Sequence, residues 1–173
     1  MAHSFYKIWI HAIWAVKDRQ NLILPSFENQ IHNYIRQQFI DLDCPVRIIN
    51  GMPDHIHCLF LQNPKMAISD IIKQIKGSSS HFINQNQFLV GKFSWQTGYA
   101  VYSVSESIVE KVFEYIRNQK KHHRKLTFQE EFNKFIKINK IPIPNPTNEF
   151  VGDDFGRSKN IAHEFIRGDG RNK

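Results

Sequence analysis

Val46-Arg47-Ile48-Ile49-Asn50-Gly51-Met52-Pro53-Asp54-His55-Ile56-His57-Cys58-Leu59-Phe60-Leu61 places two runs rich in β-branched and aromatic residues around a cluster of turn formers. Gly51 to Asp54 supplies the turn, and the flanking runs read as the antiparallel strands of a hairpin. Residues two apart on a strand face the same way, so His55 and His57 stand side by side, roughly 6 to 7 Å apart at Cα. Two nitrogen ligands can then reach one ion.

Working outward, residues 5–16 are rich in aromatic and β-branched side chains and read as a first strand, with Lys17-Asp18-Arg19-Gln20-Asn21 as its polar exit. Ser26 is placed to cap a helix whose apolar positions Phe27, Ile31, Tyr34, Ile35 and Phe39 keep a 3.6-residue period. Pro45 forces an extended restart into the hairpin. Ile68, Ile71, Ile72 and Ile75 make the stripe of a second helix that runs into the small basic patch Lys76-Gly77-Ser78-Ser79-Ser80. Residues 95–104 read as a fourth strand. The order β-α-β-β-α-β predicts an α+β fold, the ferredoxin-like split unit, with two helices on one face of a four-stranded antiparallel sheet.

Added C-terminal helices are expected beyond it. Residues 105–124 carry the stripe Ile108, Val109, Val112, Phe113 and Ile116, and with it Tyr115 and Gln119. Thr127 and Glu130 form a capping box for a further helix with Phe128, Phe132, Phe135 and Ile136 on one side. The prolines of Ile141-Pro142-Ile143-Pro144-Asn145-Pro146 end the compact part. The expected organisation is one domain over residues 1–140, then a proline-containing linker and a weakly ordered tail over 141–173.

The chain has 173 residues, 41% of them hydrophobic, enough for an ordinary core. Lys and Arg number 23 against 16 Asp and Glu, a net charge of +7 that suits a densely negative partner such as nucleic acid. Cys44 and Cys58 have no metal-type spacing and give no disulfide framework, so a reducing, cytoplasmic setting is expected. No run approaches the eighteen or so apolar residues of a membrane span, and residues 1–7 lack a signal-peptide pattern. The expectation is a protein with no membrane partner.

On one helix Tyr115 and Gln119 would be neighbours, four residues apart and flanking the apolar stripe. If that helix packs over His55 and His57, a site assembles from two imidazoles, one amide oxygen and one phenol. Such a set leaves at least three positions for water or phosphate oxygens and suits Mg²⁺ or Mn²⁺ better than zinc. A metal-polarised phosphate lowers the cost of attack by the phenol, and the product is a phosphotyrosine ester. Lys120-Lys121-His122-His123-Arg124-Lys125 reads as a basic cluster touching phosphates. A different class of reading is a non-enzymatic nucleic-acid module that stacks bases on Trp95, Tyr99 and Tyr102. A small-phosphoester hydrolase would leave the tyrosine and the basic surface without a use.

These residues resemble the single-tyrosine HUH transposases of small insertion sequences and their relatives linked to repetitive extragenic palindromes. His55-Ile56-His57 after Met52-Pro53-Asp54 is similar to the family's His-hydrophobe-His motif, and Tyr115-Ile116-Arg117-Asn118-Gln119 to its tyrosine motif, as is the Lys121-His122-His123 continuation. Ser94-Trp95-Gln96-Thr97-Gly98-Tyr99, Tyr102-Ser103-Val104-Ser105, Trp14 with Lys17 and Arg19, and Lys76-Gly77-Ser78-Ser79 resemble it too. The resemblance covers roughly residues 5–139, departs at Ala15-Val16, where many relatives carry small hydroxyl residues, and has no match after Pro146.

The resemblance implies an enzyme that cuts and rejoins single-stranded DNA, with Tyr115 as nucleophile and His55, His57 and Gln119 on a divalent metal, Mg²⁺ or Mn²⁺. It implies a 5′-phosphotyrosine link, recognition of DNA hairpins, and a homodimer in which the tyrosine helix can complete the partner's site. Lys17, Arg19, Lys76, Ser78, Ser79, Lys120, Lys121, His122, His123 and Arg124 are the expected DNA contacts.

Overall fold

The computed structural model describes residues 5–122. Along the chain lie β1 (Trp9–Ala15), α1 (Glu28–Asp41), β2 (Val46–Met52), β3 (His55–Leu61), α2 (Ile68–Gln85), β4 (Ala100–Val104), α3 (Val109–Arg117) and the four-residue α4 (Gln119–His122). The strands form one antiparallel sheet in the order β2-β3-β1-β4, the expected ferredoxin-like α+β arrangement. The unit that carries the sheet ends at Gln119.

Alternation along the two central strands sorts side chains between two covered faces. Ile10, Ala12 and Trp14 of β1 and Ile56, Cys58 and Phe60 of β3 belong to one core with Ile31, Ile35 and Phe39 of α1 and Ile71, Ile72 and Ile75 of α2. Burying each of those isoleucines contributes about 2 kcal/mol. The intervening residues, His11, Ile13 and Ala15 of β1 and His55, His57 and Leu59 of β3, are buried as well. They lie on the other side of the sheet, where α3 packs against β2 and β3 through a face that buries Val109, Val112 and Ile116. Both central strands are therefore covered twice, which is why their sequences read as nearly continuous apolar runs with histidines set into them.

The hairpin between β2 and β3 is tight. Gly51 pairs with Ile56 and Met52 with His55, leaving Pro53 and Asp54 as the turn. A Cβ on Gly51 would lie 2.2 Å from the His55 carbonyl oxygen, so no other residue fits without moving backbone. The turn is stitched to the exit of β1: Val16 N donates to Asp54 O at 2.8 Å and Ile23 N to Pro53 O at 2.8 Å. Between those two bonds Asp18 and Arg19 both take left-handed backbone, φ 54° and 56°. Each non-glycine residue there costs about 1–2 kcal/mol.

Four boundaries differ from the sequence reading. Ser26 does not cap α1, whose N-cap is Phe27, with no side-chain cap bond. The helix starts instead from main-chain bonds of Phe27 and Glu28 to Leu24 O. β4 begins at Ala100, because the carbonyls of Gln96, Thr97 and Gly98 all accept from Lys76 Nζ, at 2.7, 3.0 and 2.9 Å, and are not offered to β1. Trp95 makes only an isolated bridge to Val16. α2 continues through the serine patch to Gln85, with Ser78 and Ser79 returning their hydroxyls to Ile75 O. The helix expected over 105–124 is divided: a 3-10 turn, Glu106–Ile108, precedes α3, and α3 stops at Asn118, whose side-chain amide and main-chain N–H both donate to Glu114 O. The helix expected after Thr127, the proline linker, the tail and the domain boundary at 140 lie outside the described residues.

Candidate active site

His55 and His57 stand on the α3 side of the sheet, both buried, with ring centroids 5.1 Å apart. Each ring is oriented through Nδ1. Asp54 Oδ1 lies 2.6 Å from His55 Nδ1, and Asp54 Oδ2 lies 2.8 Å from Arg19 Nη2. An aspartate beside imidazole Nδ1 favours the Nδ1–H form, in which Nε2 carries the coordinating lone pair. Burial pushes the Asp54 carboxyl up, but the hydrogen bond from His55 and the charge of Arg19 outweigh it and hold it below the ordinary carboxylate range.

His57 Nδ1 lies 3.0 Å from His11 Nε2, and the two rings stack with centroids 5.2 Å apart. Burial lowers His11 to a pKa of about 3, so it is neutral at ordinary pH and can accept from His57. Tyr115 closes the cluster from α3, half-buried, with its ring edge-on at 5.9 Å from His57 and 6.3 Å from His11. Tyr102 stands opposite His11 in the β1–β4 register, 6.3 Å from it, and burial raises its phenol pKa.

The end of α3 is fixed over this face by Asn50. Its side-chain amide donates to Ile116 O at 2.8 Å and Arg117 O at 3.2 Å, and Asn50 is the cross-strand partner of His57. Gln119 follows immediately and is fully buried, and among the described residues neither its Oε1 nor its Nε2 has a hydrogen-bond partner. A buried amide without a partner costs about 1–3 kcal/mol. Of the two atoms, only the acceptor Oε1 is of a kind that a bound cation would satisfy. Among the described residues no three His, Cys, Asp or Glu side chains form a metal-holding group.

The structure thus brings His55, His57 and Tyr115 together and leaves Gln119 buried past the end of α3. The expected DNA contacts fare differently. Lys17 is exposed, whereas Arg19 is engaged by Asp54 and the Lys76 ammonium by three carbonyls beneath Tyr99. Burial lowers Lys76 to a pKa of about 8. Ser79 is fully buried and accepts from Trp95 Nε1 at 2.9 Å, so it is a core residue in this conformation, and Ser78 is half-buried. Trp95 lies in the core against Phe93 and Trp14, which removes it as a stacking platform. Lys120 is exposed; the side chains of Lys121 and His122, and all of His123 and Arg124, lie outside what the structure describes.

Sequence reasoning misses three contributors, His11, Asp54 and Asn50. Asp54 carries a signal, an acid directly before the first histidine. His11 and Asn50 carry none, because their roles come from cross-strand register.

Comparison with known proteins places the fold. A family model described as "Transposase IS200 like" matches residues 4–119. The ISDra2 transposase TnpA of Deinococcus radiodurans is 29% identical over 119 residues, 66% of this chain and 85% of that protein. A crystal structure at 1.90 Å of a Deinococcus radiodurans protein assigned as a transposase superposes with a TM-score of 0.53 at 26% identity, covering 69% of this chain and 95% of that one. A REP-associated tyrosine transposase bound to a REP hairpin shares the fold, with a TM-score of 0.54 at 14% identity over 71% of this chain and 74% of that one.

Proposed function

The chain belongs to the IS200-like transposase family, and from that premise we propose that it cleaves and rejoins single-stranded DNA through a covalent link at Tyr115. The observation that carries this reading is the Tyr115 ring set edge-on against His57, beside a second histidine; two residues past the end of α3 the amide of Gln119 is buried and, among the described residues, has no hydrogen-bond partner. His55, His57 and Gln119 would hold a divalent cation, Mg²⁺ or Mn²⁺. When bound, the cation neutralises charge on the scissile phosphate.

In the cleavage step the Tyr115 oxygen bonds to phosphorus and its proton is lost to solvent. The bond from phosphorus to the 3′ oxygen breaks, and that oxygen leaves as a protonated 3′-hydroxyl. The 5′-phosphate stays on the tyrosine, so joining is the reverse displacement by a 3′-hydroxyl and needs no nucleotide cofactor. Asp54 and His11 hold the two imidazoles in one tautomer throughout. The proposed substrate is a single strand folded into a hairpin, which fits the fold shared with a hairpin-bound transposase. We place the reaction in a cytoplasmic homodimer, with Tyr115 able to serve its own or its partner's site. Among the described residues no helix is long and apolar enough to cross a membrane.

The test is incubation of the protein with a single-stranded hairpin taken from the DNA flanking its coding sequence, with Mg²⁺, followed by a denaturing gel. A protein–DNA adduct is expected, absent with Tyr115→Phe and after chelation, while hairpin binding survives the substitution. An adduct formed by Tyr115→Phe sinks the assignment of the nucleophile. Binding that is indifferent to metal, with no adduct from the intact protein, would favour a binding module instead.

A further inference from the structure

We propose that Arg19 and Asp54 form a clamp that fixes the tautomer and direction of the His55 ring, a role that rests on the reading of His55 as a metal ligand. The carboxylate is divided between its partners, Oδ1 at 2.6 Å from His55 Nδ1 and Oδ2 at 2.8 Å from Arg19 Nη2. All three side chains are largely out of solvent, 0% exposed for His55, 20% for Asp54 and 18% for Arg19. Salt screens such a group little.

Arg19 reaches Asp54 on backbone that an arginine does not ordinarily adopt. Asp18 and Arg19 are consecutive left-handed residues, and Arg19 N closes the turn on Val16 O at 3.0 Å. Val16 N is itself bonded to Asp54 O at 2.8 Å. The exit of β1 is thus tied to Asp54 twice, by main chain and by guanidinium. Strain of this kind persists where the surroundings over-determine it, and it gathers at functional sites. An arginine whose task was to meet a phosphate would have no need of it.

A carboxylate accepting the Nδ1 proton raises the basicity of Nε2 and holds the ring plane. Arg19 in turn stops Asp54 from rotating away from the ring. Both are positioning residues; neither is placed against DNA by this geometry. Arg19, expected from the sequence as a phosphate contact, is thus also proposed as support of the site.

The experiment uses the full chain, Mn²⁺ alone as probe, and two readouts. Free Mn²⁺ followed by electron paramagnetic resonance gives affinity, and ¹⁵N-histidine spectra of the metal-free protein at pH 8 give the tautomer. Asp54→Ala is expected to weaken Mn²⁺ binding by about 10–100-fold and to shift His55 towards the Nε2–H form. Arg19→Ala should weaken binding several-fold, with part of the loss restored by Arg19→Lys, which keeps the charge but not the fork. If His55→Ala loses Mn²⁺ while Asp54→Ala binds it like the wild type, the clamp is overturned and the metal reading stands. Mn²⁺ binding that survives His55→Ala removes the metal reading and the clamp with it. A wild-type His55 found in the Nε2–H form overturns the clamp without any variant, so the question is decided even if the substituted chains do not fold.

Discussion

His11 is a single buried imidazole with a measurable acid cost. Unfolded, it takes up a proton below about pH 6.5; folded, burial defers that to about pH 3. Between those values the unfolded state holds more protons, so stability falls as pH falls, and above about 6.5 this residue contributes no slope. From pH 7 to pH 5 the loss from His11 alone is about 2 kcal/mol. Urea unfolding of the metal-free chain at the two pH values should show it, and His11→Phe should remove a comparable part of the difference. His55, His57 and Tyr115 are legible in the sequence because their spacing and neighbours form motifs. His11 is not: a lone histidine in Trp9-Ile10-His11-Ala12-Ile13 says nothing until β1 is known to lie beside β3, with His11 paired to Leu59 and two residues offset from His57, on the same face.

At the scale of elements, the hairpin is legible from turn chemistry, since Gly51 to Asp54 leaves the chain no other course. Its tightness is not, because the 2.2 Å approach to the His55 carbonyl depends on cross-strand register. Gly51→Ala should destabilise the fold by on the order of 3 kcal/mol, as the obstructing atoms are backbone, and thermal melting will measure it. The same substitution displaces the strand that holds both histidines, so the proposed metal binding should weaken even in the fraction that folds. The helix expected over 105–124 shows the opposite failure. Its apolar stripe predicts where α3 packs, but periodicity is blind to Asn118, whose side chain joins its main-chain N–H on Glu114 O where the helix ends, between Tyr115 and Gln119. The two residues still belong to one region, yet not to one helical face.

For the molecule as a whole, the net charge of +7 is unevenly spread. Residues 1–119 hold +2, from eleven Lys and Arg against nine Asp and Glu, and residues 120–173 hold +5, from twelve against seven. Within the first part Lys7, Arg19, Arg47 and Arg117 face carboxylates, and Lys76 faces carbonyls. By net charge alone, phosphate binding should draw on the later cations as well as on the exposed lysines of the first part, Lys17 among them. Changing Lys120, Lys121 and Arg124 to Gln should lower the slope of log affinity against log salt by roughly one for each phosphate that is no longer neutralised, whereas Lys76→Gln should leave it unchanged; fluorescence anisotropy on a labelled hairpin across a salt series reads both. The order β2-β3-β1-β4 carries a last consequence. With hydrogen-bonded neighbours on both sides and covered faces, β1 and β3 can trade their amide hydrogens for deuterium only when the whole unit opens. Mass-spectrometric exchange should find these two strands the slowest and β4 faster, so the histidines ride on the part of the molecule that keeps time with global unfolding.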